Sequence, residues 1–295
     1  MQARGAGRND RCPTAGPRAD TLRAEVASAR TTGGRGRDDR LCGHVAAMIG
    51  PAAVGPDVPL RRVAAVAELP TALDRLGLSR GRPVLALVGG AAGMNETHLE
   101  RVDEVFRSAV IPVVESCRGA LVDGGTDAGI MRVIGRARSS SGAGFPLVGV
   151  AADGTVAAPG AAQPDGDDTA PLEPHHTHII LVPGSSWGDE SPWLAAVASA
   201  IAGEEGSATL VVNGGEITYA DVDRSLGCRR PVLVLAGTGR TADAVAAAAA
   251  GEAADPRAAR IADSPLTRIV DIGDPDALAR TLQAVLGRSS SGGHA

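Results

Sequence analysis

Short, unbroken runs of Val, Leu and Ile recur along this chain, each closed by Gly or Asp and followed by a stretch with helical spacing. The runs occupy residues 83–88, 120–122, 147–150, 178–182, 209–212, 231–236 and 267–272. A run that is apolar at every position, rather than at alternate ones, fits a strand covered on both faces, as in a parallel sheet between two helical layers. The segments 96–118, 128–138, 190–202 and 274–286 read as crossover helices. The last opens with Asp274-Pro275, an N-cap followed by Pro at the first helical position. This alternation predicts an α/β domain over residues 60–288: a Rossmann-like, doubly wound, mainly parallel sheet of about seven strands flanked by helices.

The flanks differ. Residues 1–59 form a Gly/Arg/Ala-rich tail expected to be largely disordered at its start; residues 1–40 carry nine Arg against five acids and no apolar periodicity. A solvated tail and a start codon set too far upstream are both open readings. Residues 289–295 read as a frayed end. Inside the domain, 153–173 is a long Pro/Gly/Ala/Asp-rich connection between two strands, either a lid or a spacer.

Charge and composition narrow the function classes. The chain has 295 residues and a net charge of −5, and all 29 of its basic residues are Arg. That bias fits a GC-rich bacterial genome and carries no function of its own. A mild negative charge argues against a duplex nucleic-acid binder. The longest apolar stretches, 193–203 and 244–251, are far shorter than the roughly 20 residues a membrane span needs. No apolar secretory core is readable near the N-terminus. A soluble, cytoplasmic protein without a membrane span is therefore expected. Cys12, Cys42, Cys117 and Cys228 are widely spaced with no CxxC pair, which argues against a zinc knuckle or a disulfide framework.

In an open α/β sheet, ligands bind at the carboxyl ends of the strands, where strand order reverses. Here those ends are marked by glycine: Gly89, Gly90 and Gly93; Gly124, Gly125, Thr126 and Gly129; Pro183 and Gly184; Asn213, Gly214, Gly215 and Glu216; Gly237, Thr238, Gly239 and Arg240. Glycine lets backbone approach a ligand closely, and the helix starts that follow favour an anion. These residues are the candidate ligand-binding set, together with Trp187, which could stack on a base, and Glu190, which could meet ribose hydroxyls or simply favour a helix start. Arg240 could pair with a phosphate or with Asp243. A Walker loop is excluded because the chain has no Lys, and the loop at Gly89 lacks the spacing of a dinucleotide fingerprint. His175, His176 and His178 include an i, i+2 pair that could share a strand face and hold a metal, but no Cys, Asp or Glu stands at ligand spacing beside them, so a structural role is favoured and no metal is expected.

Several of these segments together resemble one superfamily. Residues 120–137 (ALVDGGTDAGIMRVIGRA) resemble the strand–GGG-x-x-G-[LIV]-M–helix element of the Lonely Guy (LOG) phosphoribohydrolases and lysine-decarboxylase-like proteins. They are closer to the GGT-x-x-G-[VI]-M segment of the cytosolic region of melastatin-type TRP channels. Residues 172–183 (LEPHHTHIILVP), 231–245 (PVLVLAGTGRTADAV) and 82–94 (RPVLALVGGAAGM) fit the same pattern in the same order. The chain thus resembles the SLOG superfamily, in its prokaryotic melastatin-associated form. The resemblance implies a cytosolic sensor or binding domain for a nucleotide-derived, ADP-ribose-like ligand in bacterial nucleotide signalling or conflict response. It implies no required cofactor, and output through an effector protein encoded nearby or through homo-oligomerisation.

Two alternatives accompany that reading. One is a LOG-type nucleotide N-glycosidase. The nearest match to its P-G-G-x-G-T-x-x-E motif is 213–221 (NGGEITYAD), where Asn213, Ile217 and Asp221 replace the Pro, the third Gly and the Glu. Asp221 and Glu216 are then the candidate catalytic carboxylates. The other is an oligomerisation module without ligand.

Overall fold

The computed structural model describes residues 58–90, 94–157, 169–253 and 255–287. The strands are β1 (Leu60–Arg62), β2 (Val84–Gly89), β3 (Ala120–Asp123), β4 (Leu147–Ala152), β5 (Val156–Ala157), β6 (Ala170–Pro171), β7 (His178–Val182), β8 (Ser207–Val212), β9 (Val232–Ala236) and β10 (Thr267–Asp271). The helices are α1 (Leu69–Arg75), α2 (Glu96–Val105), α3 (Ile111–Ser116), α4 (Gly129–Ser140), α5 (Ser191–Ala202), α6 (Glu216–Gly227), α7 (Arg240–Ala249), α8 (Pro256–Ala262) and α9 (Pro275–Leu286).

Eight strands form one sheet in the order β1-β7-β4-β3-β2-β8-β9-β10, and every neighbouring pair is parallel. The unbroken apolar runs are explained by two cores. Along β2, Val84, Ala86 and Val88 pack into one layer with Leu73, Leu194, Val197 and Val222. Leu85 and Leu87 point into the other, with Phe106, Ile130, Ile134 and Leu282. Side chains that alternate between faces are thus buried on both. At the edge the pattern relaxes: in β10, Arg268, Ile269 and Asp271 are exposed.

Three local features depart from the sequence-based expectation. The sheet has an eighth strand, β1, whose Leu60 is paired with Ile179 of β7; its Arg62 is held by Asp153 at 3.0 Å. The helix expected over 96–118 carries a π-helical segment, Phe106–Val110, between α2 and α3. Pro112 explains it, because proline has no N–H and its ring crowds the carbonyl four residues back, so a wider turn relieves both. The ends of the connection at 153–173 are structured: Val156 pairs with Ala170 and Ala157 with Pro171. Its centre, 158–168, lies outside the described residues, as do residues 1–57 of the tail expected over 1–59 and the frayed end expected at 289–295. The expected cap of the last helix is present, with Asp274 Oδ1 accepting the Ala277 N–H at 2.8 Å. Among the described residues, no helix is long and apolar enough to cross a membrane. Cys117 is free, whereas Cys228 is disulfide-bonded, a pairing that the wide cysteine spacing does not announce.

Topology fixes where a site can lie. From β2 the chain steps outward through β3, β4 and β7, then returns to place β8 on β2's other side. The switch point is therefore the crevice between the carboxyl ends of β2 and β8.

Candidate functional site

A cleft of about 190 Å³ opens at that crevice. Its floor is Leu87, Val88 and Gly89 of β2. One wall is Gly124, Thr126 and Met131, with Ala151 and Thr155 beyond; the other is Gly215, Ile217, Thr218 and Asp221. Trp187, Glu190 and Leu194 complete it. Gly89 has a reason of its own: with φ +138°, a Cβ there would lie 1.9 Å from the Val212 carbonyl oxygen. Only glycine lets β2 and β8 run together to their last pair, Gly89↔Val212. Across from it, Gly215 caps α6 and donates its N–H to Thr218 Oγ1 at 3.1 Å.

Two carboxyl groups face this space. Asp221, on α6, has its pKa pushed up to about 7 by burial; Ser191 opposes the shift and the charge of Glu190 adds to it. Glu190 is also raised, chiefly by burial, against hydrogen bonds from backbone N–H groups including that of Gly188, which donates to Oε2 at 3.0 Å. Over them, Trp187 and Ile217 are each 39% exposed although both line the cleft, giving it an apolar lip. Asp189 serves the loop itself, accepting the N–H groups of Ser185 and Ser186 at 2.9 and 3.0 Å.

The glycine-marked ends divide into two groups. Gly89, Gly124, Thr126, Trp187, Glu190 and Gly215 line the cleft, and Gly90 follows Gly89, its N–H on the Val212 carbonyl. Others are spent on packing. Gly125 presses on Gly149, Gly184 on Asp189 and Ala152, and Gly214 on Thr218. Gly129 opens α4 with φ +52°, and Pro183 is exposed just past β7. The turn after β9 is tied inward: Thr238 Oγ1 accepts the Asn213 N–H at 2.7 Å and donates to the Leu235 carbonyl at 2.6 Å. Gly237 donates its N–H to Asp243 Oδ1 at 2.7 Å. Gly239 caps α7 beside Asn213, and the Arg240 guanidinium lies against Gly215. Glu216 is not in the cleft lining; it pairs with Arg257 at 2.7 Å on the outer surface. Gly93 lies outside the described residues.

A second polar constellation links β3 to the segment before β7, and its pairing is not visible in the sequence. His176 is fully buried, with Nε2 2.7 Å from Asp123 Oδ1 and Nδ1 2.8 Å from Glu173 Oε2. Burial alone would lower its pKa, but the two carboxylates outweigh that and hold it at about 9. Burial would raise Glu173; hydrogen bonds from His176 and His175 reverse the sign and leave it lowered. The same region is stitched by backbone: Glu173 N–H on the Gly125 carbonyl and Asp127 N–H on the Pro171 carbonyl. Of the three histidines, only His178 belongs to β7, and no group of His, Cys, Asp and Glu among the described residues could hold a metal ion. Gly135 of α4 makes room for Glu173: a Cβ would fall 2.2 Å from its Oε2. Gly135→Ala is therefore expected to lower stability by about 1–3 kcal/mol, whereas Gly227→Ala, with nothing within 4 Å, should be near neutral. Urea midpoints of the two variants check this; equal midpoints would contradict it.

A family model described as "SLOG in TRPM, prokaryote" matches residues 82–280. The chain belongs to this family. The matched span contains every residue that lines the cleft and both halves of the buried histidine–carboxylate network. No curated protein matches the chain. Within this SLOG domain, residues 123–127 and 171–176 are bound to each other by these contacts. These contacts hold one wall of the cleft, from Gly124 to Thr126, in place.

Proposed function

We propose that this SLOG domain binds a nucleotide-derived ligand of the ADP-ribose type in the cleft between β2 and β8, and acts as a sensor rather than as a rapid catalyst. The observation that carries the reading is the cleft's position and lining together: a topological switch point whose glycine floor is overhung by Trp187 and Ile217. An aromatic face of this kind suits a base. At about 190 Å³ the cleft is smaller than the roughly 300–1,000 Å³ of pockets that enclose a drug-sized ligand. One end of an extended nucleotide enters, and the remainder runs along the rim past Gly215 towards Arg240. No cofactor takes part in this reading. The output passes to an effector protein or to self-assembly.

Thermal melts with ADP-ribose, cyclic ADP-ribose, NAD and AMP test the proposal. At about 100 times its Kd, a true ligand stabilises by about 2.7 kcal/mol, a rise of several degrees for a domain of this size. A folded protein that ignores the whole panel would contradict it.

One observation favours a second reading. A carboxyl group whose pKa is about 7, beside another carboxylate in a cleft, is suited to proton transfer near neutral pH. On that reading the site hydrolyses an N-glycosidic bond. Chromatography that finds base released by the wild type and not by Asp221→Ala would establish it.

A further inference from the structure

The cleft has a chemical polarity that the binding reading does not by itself contain. Among its lining residues none is Arg or His, and the only charged groups are Glu190 and Asp221. The polar side chains beside them are the hydroxyls of Thr126, Thr155 and Thr218. A phosphate seated here would meet two acidic groups and no cation, in a partly desolvated space where whichever carboxylate is ionised repels it strongly. A vicinal diol is the opposite case. It carries no charge, it donates two hydrogen bonds in a fixed geometry, and a carboxylate is the strongest acceptor a protein offers for them.

The cationic group lies elsewhere. The Arg240 guanidinium stands against Gly215, at the start of α6, while Asp221 lies six residues further along the same helix. At 1.5 Å per residue the two ends are about 9 Å apart along the helix axis. The positive end of α6, with Arg240 of α7 beside it, therefore faces one part of a ligand, and the Asp221 carboxylate further along α6 faces another.

Resting on the binding reading above, we infer that the cleft receives a ribose-type vicinal diol on Glu190 and Asp221, and leaves the phosphates outside at the rim beside Arg240. The carboxylates are then the specificity-determining groups. They accept from the diol and reject a phosphate that tries to enter the same space.

The sign of one substitution decides the matter. Calorimetric titration of the full chain with ADP-ribose should show Asp221→Asn, and separately Glu190→Gln, weakening binding by about 10- to 100-fold, the usual effect of losing a hydrogen bond to a charged group. Inorganic pyrophosphate should compete with ADP-ribose for the wild type and lose that ability in Arg240→Ala. In Asp221→Asn, pyrophosphate affinity should be unchanged, a readout that a merely structural role for Asp221 would move. Tighter ADP-ribose binding in Asp221→Asn would mean that phosphate occupies the cleft, and unchanged binding would mean that nothing touches the carboxylate. Either result overturns the inference and leaves the binding proposal standing. If the folded wild type binds no nucleotide of the panel, both fall together.

Discussion

Replacing His176 with Ala is expected to destabilise the protein by about 3–5 kcal/mol, the cost of breaking a buried ion pair by removing one partner. The substitution would remove the imidazole shared by two fully buried carboxylates, leaving Asp123 with the Gly125 N–H and Glu173 with His175. For a domain of this size, that is a fall in Tm of about 10 °C. The pH dependence follows from the same geometry. The folded pKa of His176 is about 9, above the ordinary 6.5, so the native state holds its proton more tightly than the unfolded chain. The stabilisation is complete below about pH 6.5 and is lost as pH rises through about 9. A shift of this size is worth about 3 kcal/mol. Urea midpoints of the wild type should fall between pH 6.5 and 9.5, and His176→Ala should flatten that fall. A wild-type midpoint that holds or climbs across this window would remove the charged histidine from the account.

Asp221→Asn is expected to act in the opposite direction. Burial and the neighbouring Glu190 raise the Asp221 pKa from 3.8 to about 7, so the native state here favours the neutral acid. The wild type therefore loses stability as pH climbs from about 4 to 7, because ionising this group costs more in the folded protein than in the unfolded one. Asparagine stays neutral at every pH. The variant should match the wild type near pH 4 and be more stable by about 2–4 kcal/mol at pH 8. Denaturant titrations at the two pH values measure the difference. A variant equal to or weaker than the wild type at pH 8 would show that the carboxylate is not strained. Gain of stability paired with loss of ADP-ribose affinity is the signature of a residue kept for binding rather than folding.

The doubly wound sheet is legible because parallel strands buried on both faces leave unbroken apolar runs, and the seven expected runs all appear as strands of the eight-stranded sheet. What escapes is what depends on partners far away in the chain. β1 is three residues long with Arg at two of them, and becomes a strand only by pairing with β7. The Asp123–His176 contact spans 53 residues; in sequence Asp123 is one more member of a glycine loop, and His176 one of three histidines within four residues. The glycines show the same limit. Gly89 and Gly125 look alike as letters, yet the first floors the cleft while the second packs on Gly149. Glu216 and Asp221 look equally suited to chemistry, but Glu216 faces outward to Arg257, and Asp221 faces the cleft because it lies further along α6.

The claim on which the functional account stands is that a nucleotide enters beneath Trp187. The chain has two tryptophans, and of the two Trp187 lines the cleft, so the test is to titrate ADP-ribose while following tryptophan emission in the wild type and in Trp187→Phe. The account predicts a saturable change in the wild type that is absent from Trp187→Phe. No change in the wild type, or a change of the same size that survives the substitution, would contradict it.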